Sequence, residues 1–226
     1  MNTAPGVPSS PQREHRSLTA AAEKRLLVWL AQRMPAWLNS DHLTALGLLG
    51  NALGGIGYVL AGGNPMWLHF VNLSLFINWF GDSLDGTLAR VRSRLRPRYG
   101  FYVDHLVDAL GALFLLVGLA ASGLVSERIA LALLVAYYLF SINMYLATCS
   151  LGVFKISYGL LGGTELRILL AAVNLVVLTQ PRVMLMGRSW LVFDLLAGFG
   201  AVGVSVVALR SAVQVTKRLY QEERLE

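Results

Sequence analysis

Residues 81–108 read GDSLDGTLARVRSRLRPRYGFYVDHLVD, and this polar stretch divides two long apolar regions. Before it, Leu43–Gly81 contains no Asp, Glu, Lys or Arg; after it, Ala109–Ser126 and Ile129–Phe154 are equally free of charge. A bilayer core takes about 20 mostly apolar residues per helix, so these runs predict membrane spans. Working outward gives six: Leu43–Ala61, Met66–Ala89, Phe101–Ser122, Glu127–Ser150, Thr164–Gln180 and Ser189–Leu209. Of the 226 residues, 55% are hydrophobic and only 14% charged, against about 25% charged in soluble domains. The fold class is therefore all-α and integral to a membrane. Cys149, alone and inside an apolar run, excludes an internal disulfide.

The charges outside the spans are organised by side. Arg90, Arg92, Arg94, Arg96 and Arg98 crowd the second connection, and Arg13, Arg16, Lys24, Arg25 and Arg33 precede the first span. The 62–65 turn carries none, and only Arg182 and Arg188 dissent from the alternation. Lys155 and Arg167 read as further charges of the basic side. Because cytoplasmic loops collect Lys and Arg, both termini and the arginine-rich connection are expected in the cytoplasm, in a bacterial-type inner or plasma membrane. The basic excess serves topology, and no nucleic acid partner is implied. Residues 1–16, with Pro5, Pro8 and Pro11 and no apolar stretch, read as a disordered tail without a secretory signal. Residues 17–38 read as an interfacial amphipathic helix whose apolar face is Leu18, Ala22, Leu26, Trp29 and Leu30, with Glu23, Lys24 and Gln32 outside it. The alternative is a helix packed on its own protein. Residues 39–210 form the membrane domain, and 211–226 a cytoplasmic tail.

Four carboxylates stand in the quoted stretch. Asp82 and Asp85 are three residues apart and Asp104 and Asp108 four, so each pair shares one helix face. A connection of about ten residues makes the two helices antiparallel neighbours and lets all four carboxylates converge at the membrane edge. Ionised groups at that depth usually mark function. Alternatively, the Asp residues cap helices and pair with nearby arginines. Four like charges need compensation, and an all-carboxylate set suits Mg²⁺ or Mn²⁺, as a pair of ions about 3.5–4 Å apart. Gly86, Ala89 and Gly100 leave room beside them, and the Arg90 fork suits a phosphate. Gly47, Gly50, Gly54 and Gly57 predict close packing on the first span.

The order Asp82-x2-Asp85-Gly86-x2-Ala89-Arg90-x9-Gly100-x3-Asp104-x3-Asp108 resembles the signature of the CDP-alcohol phosphotransferase family. The resemblance implies an enzyme of phospholipid synthesis that transfers a substituted phosphate from a CDP-linked donor to an alcohol and releases CMP. It makes Asp82, Asp85, Asp104 and Asp108 the metal ligands and places Asp82, Gly86, Ala89, Arg90, Gly100, Asp41 and Thr44 around CDP. Asp108 is the favoured general base, with His105 the competitor, because His105 lies about 100° round the helix from Asp104. His105, together with Glu165 at the fifth span as an acceptor contact, is similar to the choline and ethanolamine branch, which uses CDP-aminoalcohols and diacylglycerol. The six spans and interfacial helix instead resemble enzymes using CDP-diacylglycerol, and the reading leans that way. Membrane lipids and a homodimer complete the expected partners. A cation-coupled transporter is the remote alternative, and it lacks the internal repeat such proteins show.

Overall fold

The computed structural model describes residues 20–151 and 162–224. The expected tail 1–16, Leu18 and Lys155 lie outside the described residues. Among these there are seven helices and one hairpin: α1 (Ala20–Arg33), α2 (Ser40–Ala61), α3 (Trp67–Val91), α4 (Pro97–Ala121), α5 (Glu127–Leu151), α6 (Gly163–Thr179), β1 (Arg182–Leu185), β2 (Arg188–Leu191) and α7 (Val192–Glu222). Helices α2 to α7 follow the six apolar runs. Four of them, α2, α4, α5 and α7, are long and apolar enough to cross a membrane. The apolar run of α3 is interrupted by its carboxylates, and α6 has 17 residues.

Helix α2 is the organising element. Asn39 caps it: its side chain accepts from the His42 amide at 3.0 Å, while His42 Nδ1 accepts from the Asn39 amide. Helices α3 and α4 both pack on α2 and hardly touch each other. This corrects the expectation that they are direct antiparallel neighbours. The reason lies in the small residues of α2, which serve packing as expected. A Cβ on Gly50 would meet the Asn78 amide at 2.7 Å, and one on Gly57 would meet Val71 at 2.8 Å, both on α3. One on Gly54 would meet Leu115 of α4 at 2.8 Å, and one on Gly55, round the helix, the Phe114 carbonyl of α4, so the glycines of one helix admit two partners. The Asp-bearing ends of α3 and α4 therefore both border α2 without packing closely on each other.

Helix α6 joins α3 through a polar seam inside the apolar core. Tyr58 Oη donates to Asn174 Oδ1 at 3.1 Å, and Asn174 Nδ2 donates to Asn72 Oδ1 at 2.6 Å. Asn174 is fully buried, so unpaired it would carry the cost of a polar group in hydrocarbon. Helices α4, α5 and α7 continue the bundle.

Helix α1 packs on its own protein, against α3, and leaves exposed part of the apolar face expected at the membrane interface. Leu27 and Ala31 are buried with Leu43, Leu84 and Leu88, while Leu26 and Trp29 are 46% and 49% exposed. Apolar residues surround more than half of α1, so periodicity alone does not select the contact face. The hairpin has no counterpart among the sequence-based expectations. Its two-residue turn places Met186 and Gly187 at φ of 52° and 74°, the left-handed pair that matches strand twist. The connection α4–α5 is tied to α7 by Asp194, which accepts from the Ser126 amide at 2.6 Å and its hydroxyl at 2.7 Å. Helix α7 has 31 residues, about 46 Å at 1.5 Å each, and runs unbroken through residue 210 to Glu222.

Candidate active site

Asp82 and Asp85 lie near the C-terminal end of α3, Asp104 and Asp108 in the N-terminal half of α4, and the region between these ends is the candidate groove. Asp85 is fixed from α2: Thr44 Oγ1 donates to its Oδ2 at 2.5 Å and to Ser40 O at 3.0 Å. Thr44, expected beside CDP, is thus hydrogen-bonded to Asp85. Asp82 is fixed from α6 by a residue that sequence alone marks only as a basic-side charge. Arg167 Nη2 donates to Asp82 Oδ2 at 2.7 Å, and Arg167 Nε donates to Asn78 Oδ1, also at 2.7 Å. Asn78 Nδ2 in turn donates to Gly47 O at 2.9 Å. The available signal is an arginine set at the start of an otherwise apolar helix, four residues after Gly163. A planar fork held by two side chains is the geometry for which Arg exceeds Lys.

Asp82 and Asp104 both lie within electrostatic range of Asp85, so the groove gathers negative charge from α3 and α4. Asp108 is exposed, and it lies within electrostatic range of Tyr137 and Tyr145 of α5. Arg90 is exposed, and its Nη2 donates to Thr87 Oγ1 at 3.0 Å. A Cβ at Gly86 or Gly100 would have nothing within 4 Å. At these two positions the small residue leaves space rather than tightening a contact.

The remaining expected residues stand differently. Asp41 is ion-paired with Arg96, whose guanidinium also lies 4.1 Å from the Tyr99 ring centroid. Glu165 Oε2 accepts from the Gly162 amide at 2.9 Å, which makes it an N-terminal cap of α6. The His105 ring sits against Phe101 and Tyr145, with centroids 4.2 and 4.9 Å away. Its Nδ1 is 2.7 Å from Phe101 O and 3.7 Å from Asp104 Oδ2. Ala89 is half-buried beside Arg90.

The donor set fits a hard dication in kind: every candidate ligand is a carboxylate oxygen, and the Arg167 guanidinium offsets one of their charges. No group of three or more Asp, Glu, His or Cys side chains among the described residues is gathered closely enough to hold an ion.

Residues 37–195, from before α2 into the start of α7, match the family described as CDP-alcohol phosphatidyltransferase. The chain belongs to this family. Curated relatives include proteins named cholinephosphotransferase 1. The one from Danio rerio is 33% identical over 96 residues, 40% of this chain and 25% of its own length. That from Gallus gallus is 31% identical over 96 residues, 40% of this chain and 28% of its own. That from Xenopus laevis is 30% identical over 100 residues, 42% and 25%. The match therefore spans about a quarter of each relative.

Proposed function

We propose that the groove transfers a substituted phosphate from a CDP-linked donor to an alcohol and releases CMP. The observation that carries this reading is the placing of Asp82, Asp85 and Asp104 in one electrostatic field, beside open space at Gly86 and Gly100. Asp82, Asp85, Asp104 and Asp108 would hold Mg²⁺ or Mn²⁺, which when bound draws charge from the pyrophosphate and stabilises the departing CMP. Thr44 and Arg167 keep the α3 carboxylates in place, so little reorganisation is left for the moment of reaction. Gly86 and Gly100 let the nucleotide approach the backbone, and Arg90 at the rim supplies a fork for a phosphate oxygen. Asp108 takes the proton of the attacking hydroxyl. His105 stays the competitor: its Nδ1 donates to Phe101 O, which fixes the tautomer with the basic lone pair on Nε2.

For the donor, the names of the relatives favour a CDP-linked aminoalcohol with diacylglycerol as acceptor, over the CDP-diacylglycerol towards which the sequence leans. Purified protein in lipid nanodiscs with Mg²⁺ should release CMP from CDP-choline or CDP-ethanolamine once diacylglycerol is added. CMP released only from CDP-diacylglycerol and a water-soluble alcohol restores the other donor, and no CMP from any of them refutes the transfer itself.

We further propose that all six helices α2 to α7 span the membrane and that the groove opens to the cytoplasm. The charge asymmetry of the connections supports this orientation. A Cys at Ser93 should be labelled only when reagent reaches the cytoplasm, and one at Gly63 from outside. The reverse pattern puts the groove on the wrong side for cytoplasmic CDP compounds.

A further inference from the structure

Helix α1 lies before the residues matched to the family, yet it contacts both helices that carry the Asp82–Arg167 pair. Glu23 in its first turn is half-buried, and its Oε1 accepts two hydrogen bonds. One comes from Trp79 Nε1 of α3 at 2.9 Å, the other from Thr164 Oγ1 of α6 at 2.7 Å. Trp79 precedes Asp82 by three residues, and Thr164 precedes Arg167 by three. Each donor thus lies about one helical turn from one member of the ion pair. A single carboxylate oxygen ties three helices together next to the site. Further along α1, Leu27 and Ala31 hold the helix on Leu84 and Leu88 of α3.

Two donors from different helices need a common acceptor at this point, and a carboxylate accepts more strongly than a neutral group. Without Glu23, the first turn of α6 keeps the Glu165 cap but loses its tie to α1 and, through it, to Trp79. The arginine one turn on would then meet Asp82 with less constraint.

We propose that Glu23 is a positioning residue for the active site. It fixes the start of α6 against α3, so that Arg167 orients the Asp82 carboxylate for the incoming cation. This rests on the reading of Asp82 as a metal ligand. Outer partners of metal ligands typically affect metal affinity or activity 10–100-fold, and an effect relayed through two helices belongs near the lower figure.

The test uses the full chain in lipid nanodiscs with Glu23→Ala, Glu23→Gln and Thr164→Val. Two quantities are read, neither of them activity: amide hydrogen exchange over residues 162–167 and 78–85, and Mn²⁺ binding followed by electron paramagnetic resonance. Glu23→Ala should raise exchange in both segments and weaken Mn²⁺ binding about 10-fold. Glu23→Gln, which keeps an acceptor oxygen, should restore most of both. Unchanged exchange and Mn²⁺ affinity in folded Glu23→Ala overturns the proposal, and so does a Gln variant as impaired as the Ala one. If Glu23→Ala fails to fold, Thr164→Val removes one of the two bonds and must show the same pattern at smaller amplitude, or the proposal falls. Should both readouts respond as expected while no CDP donor yields CMP, the coupling stands and the transfer reading alone fails.

Discussion

The two halves of the groove are built to different standards. On α3, each carboxylate has a partner on another helix: Asp85 is held by Thr44 of α2, and Asp82 by Arg167 of α6. The glycines behind them are closed by neighbouring backbone, as at Gly47, where a Cβ would meet the Asp82 amide at 3.3 Å. On α4, Asp108 is exposed, and open space lies at Gly100 as it does at Gly86 on α3. The α3 carboxylates are thus anchored from two other helices, and Asp108 on α4 stands closer to the surface.

The largest effects should come from removing a carboxylate from either half. Asp82→Asn, Asp85→Asn and Asp104→Asn should each reduce CMP release to background while the protein still inserts and purifies, and a chelator should do the same to the wild type. Asp108→Asn should cost about 10²–10⁴-fold, the usual scale for a general base. His105→Ala should retain a measurable fraction, since it removes a packed ring and a local hydrogen bond; equal loss in the two would make His105 the base.

A pair of glycine substitutions on α3 separates close packing from open space. A Cβ at Gly81 would collide with Leu43 O and Gly47, so Gly81→Ala should lower stability by about 1–3 kcal/mol in a thermal melt. Gly86→Ala has open space and should leave stability within about 0.5 kcal/mol while raising the KM for the CDP donor. If Gly86→Ala changes neither, the space beside Asp85 is not a nucleotide site. The smallest effect belongs far from the groove. Tyr58→Phe removes one bond of the seam to Asn174 and should cost about 0.6 kcal/mol, the average for interhelical bonds in membranes, without changing CMP release.

Much of the frame around this groove is legible in the amino-acid sequence. The charge-free runs place α2 to α7 within a few residues at most ends, because a membrane span is set by length and apolarity, both local properties. The Asp spacing puts each pair on one face for the same reason. What stays hidden is relational. That α2 stands between α3 and α4 depends on which side of a helix each glycine faces, and several sides of α2 carry one. Arg167 reads as a topology charge because its partner Asp82 is 85 residues away, and no local pattern links them. The contact face of α1 is ambiguous because Leu26, Leu27, Trp29, Leu30 and Ala31 offer two apolar faces, and only α3 chooses between them. The hairpin escapes a sequence reading because Met186, not Asn or Asp, accompanies Gly187 in its turn.

The central claim is that the carboxylates of α3 and those of α4 form one cation site. Mn²⁺ binding by electron paramagnetic resonance, on the full chain in nanodiscs, tests it directly. The account predicts that Asp85→Asn and Asp104→Asn each lose most of the bound Mn²⁺ seen in the wild type, although the substitutions lie on different helices. A variant with both Asp104 and Asp108 changed to Asn that bound Mn²⁺ with wild-type affinity and stoichiometry would contradict it.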